Sequence, residues 1–351
     1  MVAVAAPELV SGNRLTALAA LSAGCRFFAG YPITPSSEIY RTMMEELPRR
    51  GGLAVSAPDE ISAIAACVGA SLAGFPAMTA TSGPGFALMV ETVQYAVMTE
   101  TPLVVALVQR LGPSTGGATQ GGQGDVLLAE FAGSGGYTIP VFAPSTAAEC
   151  WRLTRAAFAW AERLRTPVVL LSDKEVGMTL ETVDTAALEG DPVPPRAGFG
   201  AGRVVRTGSA HDREWRLRKP NPEVVEVLAE LRGKVEAAAD ELALVDADLE
   251  EGADTLVVSY GVSARAAREA CDRVRARGRR VSFLAPKTLF PVAERALAAA
   301  LAGTARVVVV EENATGLYAG VLAGRLGGRE LVRVNGVGAM IPPARIEEAI
   351  A

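Results

Sequence analysis

The chain has 351 residues, 50% of them hydrophobic and 21% charged, with 34 Lys+Arg against 39 Asp+Glu for a formal net charge of -5. At about 150 residues per domain this length allows two cores, and the hydrophobic fraction excludes a disordered or fibrous chain. The acidic balance disfavours a nucleic-acid binder, whose affinity rests on a basic surface that releases phosphate counterions. Aromatic residues make up only 5%, so the core has to be built from Ala, Val and Leu, side chains small enough for helices to pack closely on a sheet.

The four cysteines, Cys25, Cys67, Cys150 and Cys271, stand too far apart for a C-x-x-C pair. No metal or iron–sulfur cage is readable, and buried free thiols in a reducing cytoplasm are expected. The N-terminus lacks the basic region of a signal peptide, and Pro7 and Glu8 interrupt its apolar run. Residues 61–90 carry no charge, but Pro76 and Ser82-Gly83-Pro84-Gly85 break them up. They read as buried helix, strand and turn, and no membrane span is expected.

In chain order, short apolar runs alternate with helical stretches, the pattern of a parallel sheet covered on both faces. A helix over 13–23 ends at Gly24, a strand covers 25–29, and a polar turn over 31–36 leads into a helix reaching Leu47. A strand over 53–56 precedes a helix over 60–72 rich in Ala and Gly. Then come a strand over 77–81, a Gly83-Pro84-Gly85 turn, a helix over 86–99, and a strongly apolar strand over 103–108 that stops at Gln109-Arg110. Residues 111–124 hold six glycines in fourteen positions, a loop long enough to suggest a functional or mobile segment. A strand over 138–142, the Thr146-x-x-Glu149 capping box of another helix, and a strand over 167–171 follow. Between 176 and 219 the pattern decays around Pro192, Pro194 and Pro195 into a surface connector. A helical segment starts at Pro222, and a second α/β unit follows: strand 255–260, helix 264–277, strands 281–284 and 306–310, and a last helix from Pro343.

Several chemistries are absent. There is no G-x-x-x-x-G-K-[ST]; Gly83-Pro84-Gly85 lacks the third glycine of a dinucleotide fingerprint, since Leu88 stands there; and Gly198-Phe199-Gly200 follows no strand. The single histidine, His211, lies among Asp212, Arg213 and Glu214 and reads as a solvated loop residue. Three positions are more informative. In Gly30-Tyr31-Pro32-Ile33-Thr34-Pro35-Ser36-Ser37-Glu38, Thr34 can cap a helix with Pro35 in its first turn, which gathers backbone N–H groups and hydroxyls into an anion site or simply starts a helix. Glu60 enters an uncharged helix, either as a cap near the positive dipole end or with a buried partner. Arg110 stands at the carboxyl end of an apolar strand, where ligands of open α/β sheets bind and a guanidinium fork can hold a carboxylate, unless it is an ordinary surface arginine.

These positions fall within runs that carry a family resemblance. FFAGYPITPSSEI, DEISAIAACVGASLAG, MTATSGPGFALMVETVQYAVMTETPLVV and QRLGPSTG together resemble the alpha subunit of 2-oxoacid:ferredoxin oxidoreductases, most closely the 2-oxoglutarate type. The match is dense over 13–173 and looser over 255–350. It implies an α/β chain in which a thiamine-diphosphate-binding pyrimidine-type domain, a parallel sheet with helices on both faces, spans 1–185. A connector with a helical segment spans 186–250, and a transketolase C-terminal-like α/β domain spans 251–351. Some relatives carry a gamma-type domain at the N-terminus, and none is expected so close ahead of YPITPSS.

The resemblance also implies roles. Glu60 matches the glutamate that pairs with N1′ of the aminopyrimidine and so promotes deprotonation of the thiazolium C2. Thr34 matches a residue contacting substrate near its carboxylate, with Tyr31 beside it, and Arg110 matches the arginine that binds a substrate carboxylate. Pro32, Ile33, Gly83 and Gly85 are expected at the cofactor, the glycines by letting backbone approach it or a partner. The chain departs from the family in two places: Gly117-Ala118-Thr119-Gln120-Gly121-Gly122 replaces a proline-bearing stretch before Gln123-Gly124-Asp125, and Gly177, Met178 and Thr179 stand where a histidine and an arginine are common. No G-D-G motif holds magnesium and diphosphate, since Val126 follows Gly124-Asp125. A beta subunit is therefore expected to supply Mg, the diphosphate site and a [4Fe-4S] cluster, with coenzyme A, a 2-oxo acid and ferredoxin as the remaining partners and no nucleic acid or membrane. The activity implied is oxidative decarboxylation of 2-oxoglutarate to an acyl-CoA in the cytoplasm. The alternatives are a branched-chain 2-oxo acid or pyruvate as substrate, or a noncatalytic scaffold subunit. Glu311-Glu312-Asn313 reads as a helix-capping loop or an assembly contact.

Overall fold

A computed structural model of the chain describes residues 7–132, 134–185, 188, 207–219 and 221–351. Pro192, Pro194 and Pro195 of the expected connector, and Gly198-Phe199-Gly200, lie outside the described residues. Among the described residues the largest of three sheets has seven strands in the order Thr288–Phe290, Val141–Phe142, Pro167–Asp173, Leu103–Gln109, Ala77–Thr81, Phe27–Gly30 and Leu53–Ser56. All neighbours are parallel except the first pair. The strand Leu103–Gln109 is buried along its whole length. Its Leu103, Val105 and Leu107 enter one core and its Val104, Ala106 and Val108 the other, the two-sided burial that makes a parallel strand read as one apolar run.

Helices Gly12–Ser22, Ser37–Arg49 and Ala147–Leu164 cover one face, and Glu60–Leu72 and Gly83–Met98 the other. From Phe27–Gly30 the chain moves outward to the edge strand Leu53–Ser56, then crosses back to Ala77–Thr81 on the opposite side of Phe27–Gly30. That reversal opens a crevice at the strands' carboxyl ends, where open α/β sheets bind ligands. The segments leaving these strands carry Tyr31 to Ser36, Glu60, Gly83 to Gly85 and Arg110.

The second large sheet has the order Glu330–Asn335, Arg306–Glu311, Thr255–Ser259, Ser282–Pro286 and Val245–Asp248, parallel except for the last strand. Leu256, Val258, Val307 and Val309 belong to the same core as Ala63, Phe86 and Val105, so one body of apolar side chains joins the two sheets. The strand Thr288–Phe290 follows Ser282–Pro286 in sequence, yet pairs antiparallel with Val141–Phe142 in the larger sheet. A third, two-stranded sheet pairs Glu8–Ser11 with Leu180–Val183.

The structure corrects several sequence expectations. Gly83-Pro84-Gly85 is not a separate turn; it is the first turn of the helix Gly83–Met98, where Pro84 costs no hydrogen bond because first-turn N–H groups have no intrahelical partner. Thr34 is not a helix cap. The helix starts at Ser37 behind Ser36, whose hydroxyl donates to the Ile33 carbonyl at 2.9 Å and closes a turn. His211 is fully buried rather than solvated: Nδ1 lies 2.9 Å from the Asp212 carbonyl and Nε2 3.3 Å from that of Met98, and the ring packs on Trp215. The four cysteines are free and buried, and burial pushes the Cys67 and Cys271 thiols up to about 12. Among the described residues no helix is long and apolar enough to cross a membrane.

Candidate active site

Asp59, not Glu60, caps the helix Glu60–Leu72, accepting a hydrogen bond from the Ser62 N–H at 2.7 Å. Glu60 is therefore free of the capping role, yet it is only 7% exposed and its carboxyl group makes no hydrogen bond among the described residues. Gly85 lies directly on it. A Cβ at Gly85 would stand 2.6 Å from Glu60 Oε1 and collide with the Thr81 hydroxyl, so only glycine lets the first turn of the Gly83–Met98 helix close over this carboxyl. The Glu60 carboxyl oxygens are not fully enclosed, so the group stays open to a donor from outside the chain, such as the protonated ring nitrogen of an aminopyrimidine.

Arg110, 6% exposed, follows the strand Leu103–Gln109, and its Nη1 donates to the Thr34 carbonyl at 2.6 Å. The structure thus brings Arg110 and Thr34 together across 76 residues, through the main chain of Thr34. Arg110 Nε is buried with no hydrogen-bond partner. Tyr31 and Pro32 are exposed, and Ile33 and Thr34 half-buried, at the mouth of the same crevice. Asp125 completes the group. Its N–H donates to Gln109 Oε1 at 3.0 Å, its carboxyl group rests against Gly83, and its Oδ2 is buried without a partner. Burial pushes this carboxyl up to about 6 against the downward pull of Arg110.

Arg110, Leu111 and Asp125 line one wall of a cavity of about 320 Å³, and Glu312, Asn313 and Leu317 of the five-stranded sheet line the other. A cleft of about 470 Å³ at Glu91, Tyr95, Tyr137 and Leu231 holds none of these residues. Among the described residues no three His, Cys, Asp or Glu side chains converge to hold a metal ion.

Gln123, in the glycine-rich segment, ties the two sheets together. Its Nε2 donates to Asp173 Oδ2 at 3.2 Å and to the Tyr260 carbonyl at 3.0 Å; its Oε1 accepts from the Ser263 hydroxyl and the Glu312 N–H, both at 2.9 Å. Glu311 receives the Tyr318 and Ala319 N–H groups at 3.0 and 2.9 Å, the helix-capping role read from Glu311-Glu312-Asn313. Burial, then the charges of Asp173 and Glu175, pushes Glu312 up to about 7, and burial pushes Asp173 up to about 6. These acids hold protons in the folded chain that the unfolded chain has already released. Stability is therefore expected to fall as pH rises from about 4.5 to about 7 and to level off above that. Calorimetric Tm values measured from pH 5 to pH 8 check this, and Glu312→Gln should flatten the decline.

Sequence reasoning missed Gln123, Asp125 and Glu312 as parts of this arrangement. Gln123 and Asp125 were visible as polar residues placed among glycines. What each one meets depends on the other sheet, which no local pattern reveals.

Residues 18–197 match the family described as pyruvate flavodoxin/ferredoxin oxidoreductase, thiamine diphosphate-binding, and residues 253–327 match pyruvate:ferredoxin oxidoreductase core domain II. The 2-oxoglutarate synthase subunit KorA of Methanothermobacter marburgensis is 39% identical over 327 residues, 87% of each chain. That of Archaeoglobus fulgidus is 41% identical over 310 residues, 88% of each chain. The solved 2-oxoglutarate:ferredoxin oxidoreductase from Magnetococcus marinus, with 2-oxoglutarate, coenzyme A and succinyl-CoA bound, superposes with a TM-score of 0.90 at 29% identity, over 98% of this chain and 64% of that one. With the thiamine-type domain, core domain II and a Glu60–Arg110 crevice at the switch point of its sheet, the chain belongs to the 2-oxoacid:ferredoxin oxidoreductase family as one subunit of a multi-subunit enzyme.

Proposed function

We propose that this chain is the alpha-type subunit of a cytoplasmic 2-oxoglutarate:ferredoxin oxidoreductase and holds the pyrimidine end of thiamine diphosphate. The observation that carries this reading is Glu60, a residue only 7% exposed whose carboxyl group makes no hydrogen bond among the described residues, beneath a glycine that leaves it room. Thiamine diphosphate supplies a nucleophilic carbon that adds to the ketone of a 2-oxo acid and takes up the electron pair released on decarboxylation. Glu60 holds the proton at N1′ of the aminopyrimidine, and Gly83 and Gly85 bring helix backbone close to the ring. Pro32, Ile33 and Tyr31 wall the crevice, and Thr34 and Arg110 orient the substrate carboxylate. A buried guanidinium is suited to that work because its planar fork matches two carboxylate oxygens.

The remainder of the site belongs to a beta-type partner that supplies Mg, the diphosphate-binding residues and a [4Fe-4S] cluster that passes electrons to ferredoxin. Beside the Glu60 site the helix surfaces carry exposed apolar residues: Ile61 is 51% and Leu88 52% exposed, and nothing stands within 4 Å of a Cβ built at Gly69. A partner can therefore approach the cofactor closely there. The 2-oxoglutarate reading rests on the KorA relatives and on the YPITPSS segment.

The test is to co-express the chain with its beta-type partner and measure coenzyme A-dependent viologen reduction with 2-oxoglutarate, pyruvate and 2-oxoisovalerate. Turnover on 2-oxoglutarate is expected, and Arg110→Met should raise its KM about 10- to 100-fold, the usual worth of hydrogen bonds to a charged group. Turnover on one of the other acids alone would overturn the substrate assignment, and an iron-containing complex inactive on all three would indicate a scaffold.

A further inference from the structure

Asp125 precedes the short helix Val126–Glu130 at its N-cap position, where an aspartate ordinarily accepts a hydrogen bond from the helix's first turn. Here the side chain makes no capping hydrogen bond. It points instead toward Gly83, whose added Cβ would stand 2.6 Å from Oδ2, and that oxygen is buried without a partner. The same wall of the cavity holds Arg110, with its Nε also buried and unpartnered. Gln109 fixes the spacing from behind: it ends the strand that presents Arg110 and accepts the Asp125 N–H at 3.0 Å. The other titratable groups nearby are Glu312 across the cavity, Glu60 beneath Gly85, and the buried Tyr260, whose hydroxyl burial keeps protonated. Arg110 is therefore the cation among the cavity-lining residues, and Asp125 is an acid on its own wall.

We propose that Asp125 is a specificity-determining residue: among the described residues no ion pair joins it to Arg110, but when ionised on the same cavity wall it offsets, through space, the guanidinium charge that the carboxylate of an incoming oxo acid needs. This rests on the assignment of Arg110 as the carboxylate-binding residue. A second carboxylate entering beside an ionised Asp125 is repelled by it and meets a weakened attraction from Arg110, whereas a neutral Asp125 imposes neither cost. Because burial pushes Asp125 up to about 6, its carboxyl group is mostly neutral at pH 5.5 and mostly ionised at pH 8, so this cost grows across that interval. Asparagine at this position keeps the size and the contact with Gly83 and removes the charge.

The experiment is carried out on the assembled complex with its beta-type partner. KM and kcat for 2-oxoglutarate, and its Kd by titration calorimetry, are measured from pH 5.5 to 8.5 for the wild type, Asp125→Asn, Asp125→Ser and Arg110→Lys. Wild-type KM and Kd are expected to climb through pH 6. In Asp125→Asn both should lie about tenfold lower at pH 8, a difference of about 1.4 kcal/mol, with a flattened pH profile and a larger change in KM than in kcat. Asp125→Ser gives the same reading if the asparagine variant does not assemble. A KM at pH 8 equal to or above that of the wild type, with an unchanged pH slope, would overturn the proposal and leave Asp125 a packing residue. Arg110→Lys separates the two readings: if it raises Kd while the Asp125 variants do not lower it, only the charge-offsetting role of Asp125 fails, and if it leaves Kd unchanged, the assignment of Arg110 fails with it.

Discussion

Glu60→Gln is expected to lower kcat by roughly 10²–10⁴-fold, the usual contribution of a positioned acid–base group, while the chain still folds and still assembles with its partner. The two halves of this result have separate causes. Glutamine matches glutamate in size and fits beneath Gly85, and among the described residues Glu60 makes no hydrogen bond that the substitution could break. Helix capping stays with Asp59. What is lost is the ability to stabilise a proton on a ring nitrogen, so the defect falls on the first chemical step and persists at saturating substrate. The measurement pairs viologen-reduction kinetics of the complex with its melting curve and sedimentation profile. Wild-type turnover from Glu60→Gln would remove this carboxyl from the chemistry and favour a scaffold role. Loss of the complex itself would show that Glu60 serves assembly instead.

The sequence was most legible where one element decides its own character. The strand Leu103–Gln109 is apolar at six consecutive positions from Leu103 to Val108 because both its faces are buried, and residues 77–81 and 306–310 read as strands for the same reason. Glu60 and Arg110 were legible as charges placed where uncharged segments begin or end. The strands Thr288–Phe290 and Glu8–Ser11 were not read: the first has three residues and the second two exposed ones, and each is fixed by a distant partner strand. Glu330–Asn335 pairs with Arg306–Glu311 but is only partly buried, so its pattern is too polar to stand out. His211 was misread because its neighbours Asp212, Arg213 and Glu214 are charged, whereas the imidazole itself turns inward onto Trp215 and the end of the Gly83–Met98 helix. Thr34 shows the same limit at the site: its contact with Arg110 runs through its carbonyl oxygen, which any residue offers.

Gln123→Leu is expected to destabilise the chain by roughly 3–5 kcal/mol, because orphaned buried donors and acceptors cost about 1–3 kcal/mol each. A side-chain amide has two N–H donors and an oxygen that accepts two hydrogen bonds. All four are used here, toward Asp173, the Tyr260 carbonyl, the Ser263 hydroxyl and the Glu312 N–H. Leucine has similar bulk and removes all four at once. Asp173 keeps its hydrogen bond from the Val262 N–H at 2.7 Å, and the Ser263 hydroxyl still has Glu312 Oε1 at 3.4 Å. The Tyr260 carbonyl and the Glu312 N–H lose this partner, so about two groups carry the cost. The Gln123 backbone contacts to Glu312, Asn313 and Tyr260 do not depend on the side chain, and for that reason the sheets should loosen without coming apart. Calorimetry should show Tm lowered by about 4–7 °C, since an unfolding entropy of about 2.1 cal/mol/K per residue makes each kcal/mol worth about 1.4 °C in a chain of 351 residues. Gln123→Glu should be milder near pH 5 and worsen as pH rises, since it adds a carboxyl group between Asp173 and Glu312, both of which hold their protons longer than usual. A Gln123→Leu chain that melts with the wild type would mean that solvent already satisfies these groups and that the joint between the sheets is held by the shared apolar core alone.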